Sequence, residues 1–141
     1  MTITGSGHSG VSRGATRTGR LTARLADWPA VRRARADCGA GTGFSAATRH
    51  GPVRQIVHLH GPAEAELCLT WPVIDRLEDT LGREASVDFR RGDDWVRVHL
   101  DTESEIALTL ALTSLALQAT AESDVRVGLP PCSCQTITRH R

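Results

Sequence analysis

The segment Val53–His60 (VRQIVHLH) is followed, after Gly61-Pro62-Ala63, by EAELCL at 64–69. Both runs alternate apolar and polar residues, the period of a strand that turns one face to a core. Three residues between two such runs form a hairpin loop, and loop length sets register. A three-residue loop pairs His60 with Glu64 and His58 with Glu66. It keeps Val53, Gln55, Val57 and Leu59 on the same side as Leu67 and Leu69. A two-residue loop would put Leu59 opposite Glu64 and oppose the two apolar faces. One antiparallel hairpin with one core-facing side therefore anchors whatever this chain folds into.

The remaining segments supply partners for that hairpin. At 20–27, Leu21 and Leu25 stand four apart, as in a short helix, which Pro29 ends at Trp28. Residues 30–36 read as a strand or an irregular run. Residues 38–43 (CGAGTG) read as a loop, because three glycines in six punctuate any element. A strand is expected at 44–49 and a turn at His50-Gly51-Pro52. Pro72 suits a helix start and Gly82 a helix end, with Val73, Ile74, Leu77 and Leu81 at helical spacing between them. Residues 86–90 and 94–101 read as a second hairpin around Arg91-Gly92-Asp93. Thr102 and Glu105 form a capping box for a helix over 103–120, apolar all round and so expected to be buried. This order predicts an α+β fold, an antiparallel sheet with helices on one face. The expected domain spans 20–122, between a disordered tail at 1–19 and a C-terminal tail at 123–141 that contains Pro130-Pro131.

Length and charge narrow the function classes. With 141 residues the chain is too short for a (β/α)8 barrel, which needs roughly 200 or more, or for a two-domain dinucleotide enzyme. All 17 basic residues are Arg. Residues 1–35 hold seven Arg against the single acid Asp27, whereas residues 36–141 hold ten Arg against fifteen acids. An acidic body is poorly suited to phosphate contacts, so nucleic acid is an unlikely partner, confined to the N-terminal arm. The arm has no aromatic residue before Trp28 to stack on bases. Residues 1–19 hold no apolar core of the kind a secretory signal needs. A cytoplasmic, reducing setting follows, in which Cys38, Cys68, Cys132 and Cys134 are thiols. The longest uncharged run, 106–121, is shorter than the roughly 20 apolar residues of a membrane span. No transmembrane segment is expected.

Alternation also gathers a chemical cluster. His58 and His60 share the outer face with Glu64, Glu66 and Cys68, and Trp95, Arg97 and His99 face the same way from 94–101. Two His at i and i+2 beside carboxylates can bind Zn²⁺ or another divalent transition metal. They can equally supply a general base whose tautomer a carboxylate holds. Cross-strand His–Glu pairs are also ordinary on an exposed sheet. The expected catalytic set is His58, His60, Glu66 and Arg97, with His58 and His60 as metal ligands. Trp95, His99, Glu64 and Cys68 are the expected ligand-binding residues. Cys132-Ser133-Cys134 offers two further thiols, and Cys38 lies beside a Gly-rich loop with no base placed near it. No nucleophile elbow, P-loop or dinucleotide fingerprint occurs, so neither flavin nor nicotinamide is expected.

Trp28-Pro29-Ala30-Val31, His58-Leu59-His60-Gly61, Ala65-Glu66-Leu67, Trp95-Val96 and the closing helix resemble the small actinobacterial luciferase-family, or luciferase domain-containing, proteins. The resemblance spans about 20–121. It implies no settled activity, although such genes occur in actinobacteria, sometimes in natural-product clusters. Flavin-dependent luciferases are barrels, which this length excludes. A more remote likeness, in the Trp-Val strand and closing helix, is to small α+β proteins of double-wing or frataxin-like topology, some of them DNA-binding. The leading expectation is a small protein that binds a small molecule or protein partner on an open sheet face, as a homodimer. The alternative is a small enzyme of secondary metabolism using the His/Glu site.

Overall fold

The computed structural model describes residues 15–122 and Val127. The Cys132/Cys134 motif and most of both tails lie outside the described residues. In chain order the elements are α1 (Arg17–Leu25), β1 (Arg32–Arg35), β2 (Thr42–Ala47), β3 (Val53–His60), β4 (Glu64–Cys68), α2 (Trp71–Arg76), α3 (Glu78–Gly82), β5 (Val87–Asp88), β6 (Trp95–His99) and α4 (Glu103–Glu122). The six strands form one antiparallel sheet in the order β1-β2-β3-β4-β6-β5. This is the expected α+β two-layer arrangement.

The central hairpin has the register read from its loop. His58 pairs with Glu66 and His60 with Glu64. On the far side of β4, Glu66 pairs with Arg97 and Glu64 with His99. Phe44, Val57, Leu59, Ala65, Leu67, Val96 and Val98 share the opposite side of these strands, each at most 3% exposed. Helix α4 packs across β2, β3, β4 and β6, and α1 packs against α4 and β3. A Leu–Val–Phe face under two helices removes large apolar area from water, the main stabilising term in such a layer.

Three elements ahead of the last helix differ from the sequence expectation. Helix α1 begins at Arg17, inside the segment expected to be a tail. Thr16 caps it, its side chain accepting from the Gly19 N–H at 2.9 Å. Thr18 then ties the helix to the central hairpin by donating to the Gly61 carbonyl at 2.6 Å. The single helix expected between Pro72 and Gly82 is two short ones, because Leu77 leaves helical geometry at φ −101°, ψ 12°. The strand at 86–90 shrinks to Val87–Asp88.

Helix α4 runs to Glu122, and at its start Glu105 reaches back as one half of the expected capping box: the Thr102 N–H and hydroxyl both donate to Glu105 Oε1, at 2.5 and 2.8 Å. At 20 residues α4 is long and apolar enough to cross a membrane by length and composition. It is not buried all round. Ile106, Leu112, Ala116 and three threonines are buried, while Leu108, Leu110, Leu115 and Leu117 are only partly covered. Thr109 and Thr113 satisfy their buried hydroxyls on the carbonyls of Glu105 and Thr109, four residues back.

Candidate metal centre

The second sheet face is closed over rather than open. His58 is 1% exposed, Glu66 and Cys68 are fully buried, and Trp95 is 5% exposed. An open binding surface was expected here. Instead the β1–β2 connection folds over this end of the sheet.

Three local features put it there. Antiparallel pairing of Thr42 with Leu59 sets the start of β2 beside the end of β3, so residues 38–41 lie next to His60. Gly41 has φ +94°, a conformation that favours glycine. A Cβ there would lie 2.2 Å from the Leu59 carbonyl oxygen and 2.9 Å from His60 Nδ1, so only glycine lets this loop approach the ring. Gly43 sits opposite His58, and a Cβ on it would meet the Gln55 amide at 2.6 Å. That cleared space is where the Gln55 side chain lies.

Gln55 corrects the alternation reading, which placed it on the core side. The β2–β3 register shifts between Phe44 and Ser45, and a bulge turns the side chain on its bulged strand out of phase. Gln55 thereby reaches the polar face. Its Oε1 accepts from the Asp37 N–H at 2.8 Å and its Nε2 donates to the Arg35 carbonyl at 2.8 Å. These two backbone groups have unambiguous roles, so they set the orientation of the amide. Gln55 Oε1 also lies 2.8 Å from His58 Nε2. That nitrogen must therefore carry the proton, and His58 Nδ1 is left as the electron-pair donor. Burial holds the His58 imidazole below its usual pKa, against the opposing pull of the Glu66 carboxylate. The ring is a neutral base with a defined tautomer.

Around it, ligand-type atoms converge. His60 Nε2 lies 3.1 Å from Glu66 Oε1 and 3.9 Å from Cys38 Sγ. His58 Nδ1 lies 3.9 Å from the same Glu66 oxygen. One ligand atom each from Cys38, His58 and His60 falls within a 4.8 Å group, the closeness needed to share one ion. Thiolate and imidazole are the donor set of zinc and its neighbours.

The other expected site residues separate into two groups. Arg97 joins the cluster from outside, with Nη2 3.3 Å from Glu66 Oε2 and Nε 3.0 Å from Glu64 Oε2. Trp95 packs its ring 5.2 Å from that of His58. His99 turns away and bonds Asp88 Oδ2 at 2.7 Å. Cys68 is sealed opposite Trp95, and burial pushes its thiol up to about 12, so it is no accessible ligand. An open cleft of about 490 Å³, lined by Thr16, Thr18, Thr22, Arg33, Gly41 and Leu59, lies on the α1 side and includes none of the cluster side chains.

Sequence reasoning missed Cys38 and Gln55. A signal for Cys38 was present: once 44–49 pairs with 53–60, the loop that precedes it must pass the end of the His-x-His strand. No curated protein and no solved structure matches the chain. The family model described as Luciferase domain matches residues 53–116, a span that holds Gln55, His58, His60, Glu66 and Arg97 but stops short of Cys38, and the match is consistent with a luciferase domain-containing protein, the family the sequence motifs resemble.

Proposed function

We propose that this protein is a metal-binding domain that holds one zinc-class divalent ion through Cys38 Sγ, His58 Nδ1 and His60 Nε2. The observation that carries this reading is the His58 tautomer. Gln55 is itself anchored by two backbone hydrogen bonds and leaves a buried, neutral Nδ1 turned toward Glu66 and His60. Metal-ligating histidines commonly donate their other N–H to a fixed acceptor in this way. A nucleophilic Cys–His–carboxylate triad fits less well. There the thiol and the carboxylate engage opposite ring nitrogens, whereas here both approach His60 Nε2. The binding role expected of this sheet face then belongs to the ion rather than to an open amphipathic surface.

Elemental analysis of untagged protein tests this. Near-stoichiometric zinc is expected in the native chain, lost in His58→Ala/His60→Ala and in Cys38→Ala, whose substitution lies in a half-exposed loop and spares the sheet. A native chain that retains no metal, and that fails to compete with a chromophoric chelator for added zinc, sinks the reading.

A further inference from the structure

We infer that the ion keeps its fourth position for a ligand from solvent, a water or a small anion, so that the centre is of the reactive rather than the structural kind. This rests on the metal reading above and assigns what that reading leaves open.

The donor count comes first. Zinc-class ions are four-coordinate. Structural sites draw all four donors from the protein, whereas reactive sites draw three and leave one position for water or substrate. The ligand atoms that lie within 4.8 Å of one another come from Cys38, His58 and His60. Among the described residues no fourth Cys, His, Asp or Glu joins them. The nearest candidates are engaged elsewhere. Glu66 Oε1 makes a direct hydrogen bond with His60 Nε2 at 3.1 Å, and its Oε2 takes the Arg97 guanidinium at 3.3 Å. An ion at His60 Nε2 takes the place of that bond's proton, and Glu66, tied to Arg97, stays behind as an outer group. Glu64 holds Arg97 by its Nε, and His99 bonds Asp88. Cys68 is sealed opposite Trp95.

Exposure shows the side from which a ligand arrives. The inner side of the group is filled: His58 is buried and backed by the Gln55 amide and the Trp95 ring. The outer side is thinly covered. The His60 side chain is 16% exposed and Cys38 is partly exposed. The next three residues, Gly39, Ala40 and Gly41, are exposed and carry nothing larger than a methyl group. Charge then sets the class of ligand. Cys38 supplies the one anionic donor of the three, and the Glu66 carboxylate is already matched by Arg97. A divalent ion held this way keeps a net positive charge, which attracts a small anion or polarises a bound water.

Cobalt(II) in place of zinc reads the coordination directly. The native cobalt protein should show the intense visible bands of a four-coordinate ion. Azide, a small anion that enters open positions, should shift those bands saturably at constant ionic strength. The shift should reverse on desalting, with one cobalt per chain retained. Native bands that azide leaves unchanged overturn the open position while leaving the metal site standing. So does a shift that comes only with loss of cobalt, because azide is then stripping the ion rather than joining it. A native chain that takes up neither cobalt nor zinc removes the metal reading itself. The titration uses the native protein, so it needs no variant to fold.

Discussion

Both faces of the central strands are buried, but different chemistry buries them. Phe44, Val57, Leu59, Leu67, Val96 and Val98 lie under α1 and α4, covered by side chains of like polarity. His58 and Glu66, on the same strands and one residue out of phase, lie under a glycine-dependent loop and a chain of polar contacts that runs from Arg35 and Asp37 through Gln55 to His58, and from Glu66 through Arg97 to Glu64. Apolar burial is non-directional and tolerant of shape. Polar burial stabilises only when every partner is in place. The first face should therefore govern whether the chain folds, and the second what it binds.

The largest effect should come from the helix-covered face. Phe44 is fully buried there, and Phe44→Ala should lower stability by about 3–5 kcal/mol, read from denaturant unfolding. Where the protein remains folded, metal stoichiometry should persist, since no ligand is touched. A small stability loss joined to a full loss of metal would reverse the roles assigned to the two faces.

The second effect belongs to the polar face. Gln55→Leu removes the acceptor that holds the His58 tautomer and opens the contact to Asp37 and Arg35. Outer-shell changes of this kind typically cost 10–100-fold in metal affinity. Chelator competition should show a drop of that order, with a smaller change in unfolding midpoint than Phe44→Ala produces. Unchanged affinity would mean that the ring orientation is set by Trp95 packing alone.

This contrast also explains what could be read from the chain. The pairing of His58 with Glu66 and His60 with Glu64 follows from a three-residue loop between two alternating runs, so half of the cluster was legible. The capping box at Thr102 and Glu105 was legible for the same reason: each is a local pattern. Gln55 was not, because a bulge is a property of two paired strands, and its consequence is to invert the alternation from which faces are assigned. Cys38 depends on a loop crossing a neighbouring strand, which no local periodicity encodes. The break at Leu77 and the two-residue β5 run against helical and strand spacing that is sound locally, since propensity and pattern alone do not fix where an element stops. His99 shows the reverse limit. Alternation put it on the correct face, yet its nearer partner was Asp88 at the sheet edge.

The smallest effect expected here concerns the cap of the covering helix α4. The Thr102 hydroxyl, followed by the Thr102 N–H, holds the Glu105 carboxyl below the usual carboxylate range. A carboxyl whose folded value is depressed binds its proton more readily in the unfolded chain. Its contribution is therefore complete above the ordinary value of about 4.3 and is lost as pH falls through the folded value. Glu105 is only partly covered and lies at the surface, so solvent screens the interaction and the change in melting temperature should be a few degrees at most. Glu105→Gln should melt slightly below the native protein at pH 7, and the two curves should converge as pH falls below about 4. The Gln55→Leu protein should show the same acid convergence when paired with its own Glu105→Gln partner, because helix cap and polar cluster stand on opposite sides of the sheet and share no partner. A gap between native and Glu105→Gln that persists unchanged at pH 3 would show that the cap acts through packing rather than through its ionised carboxylate.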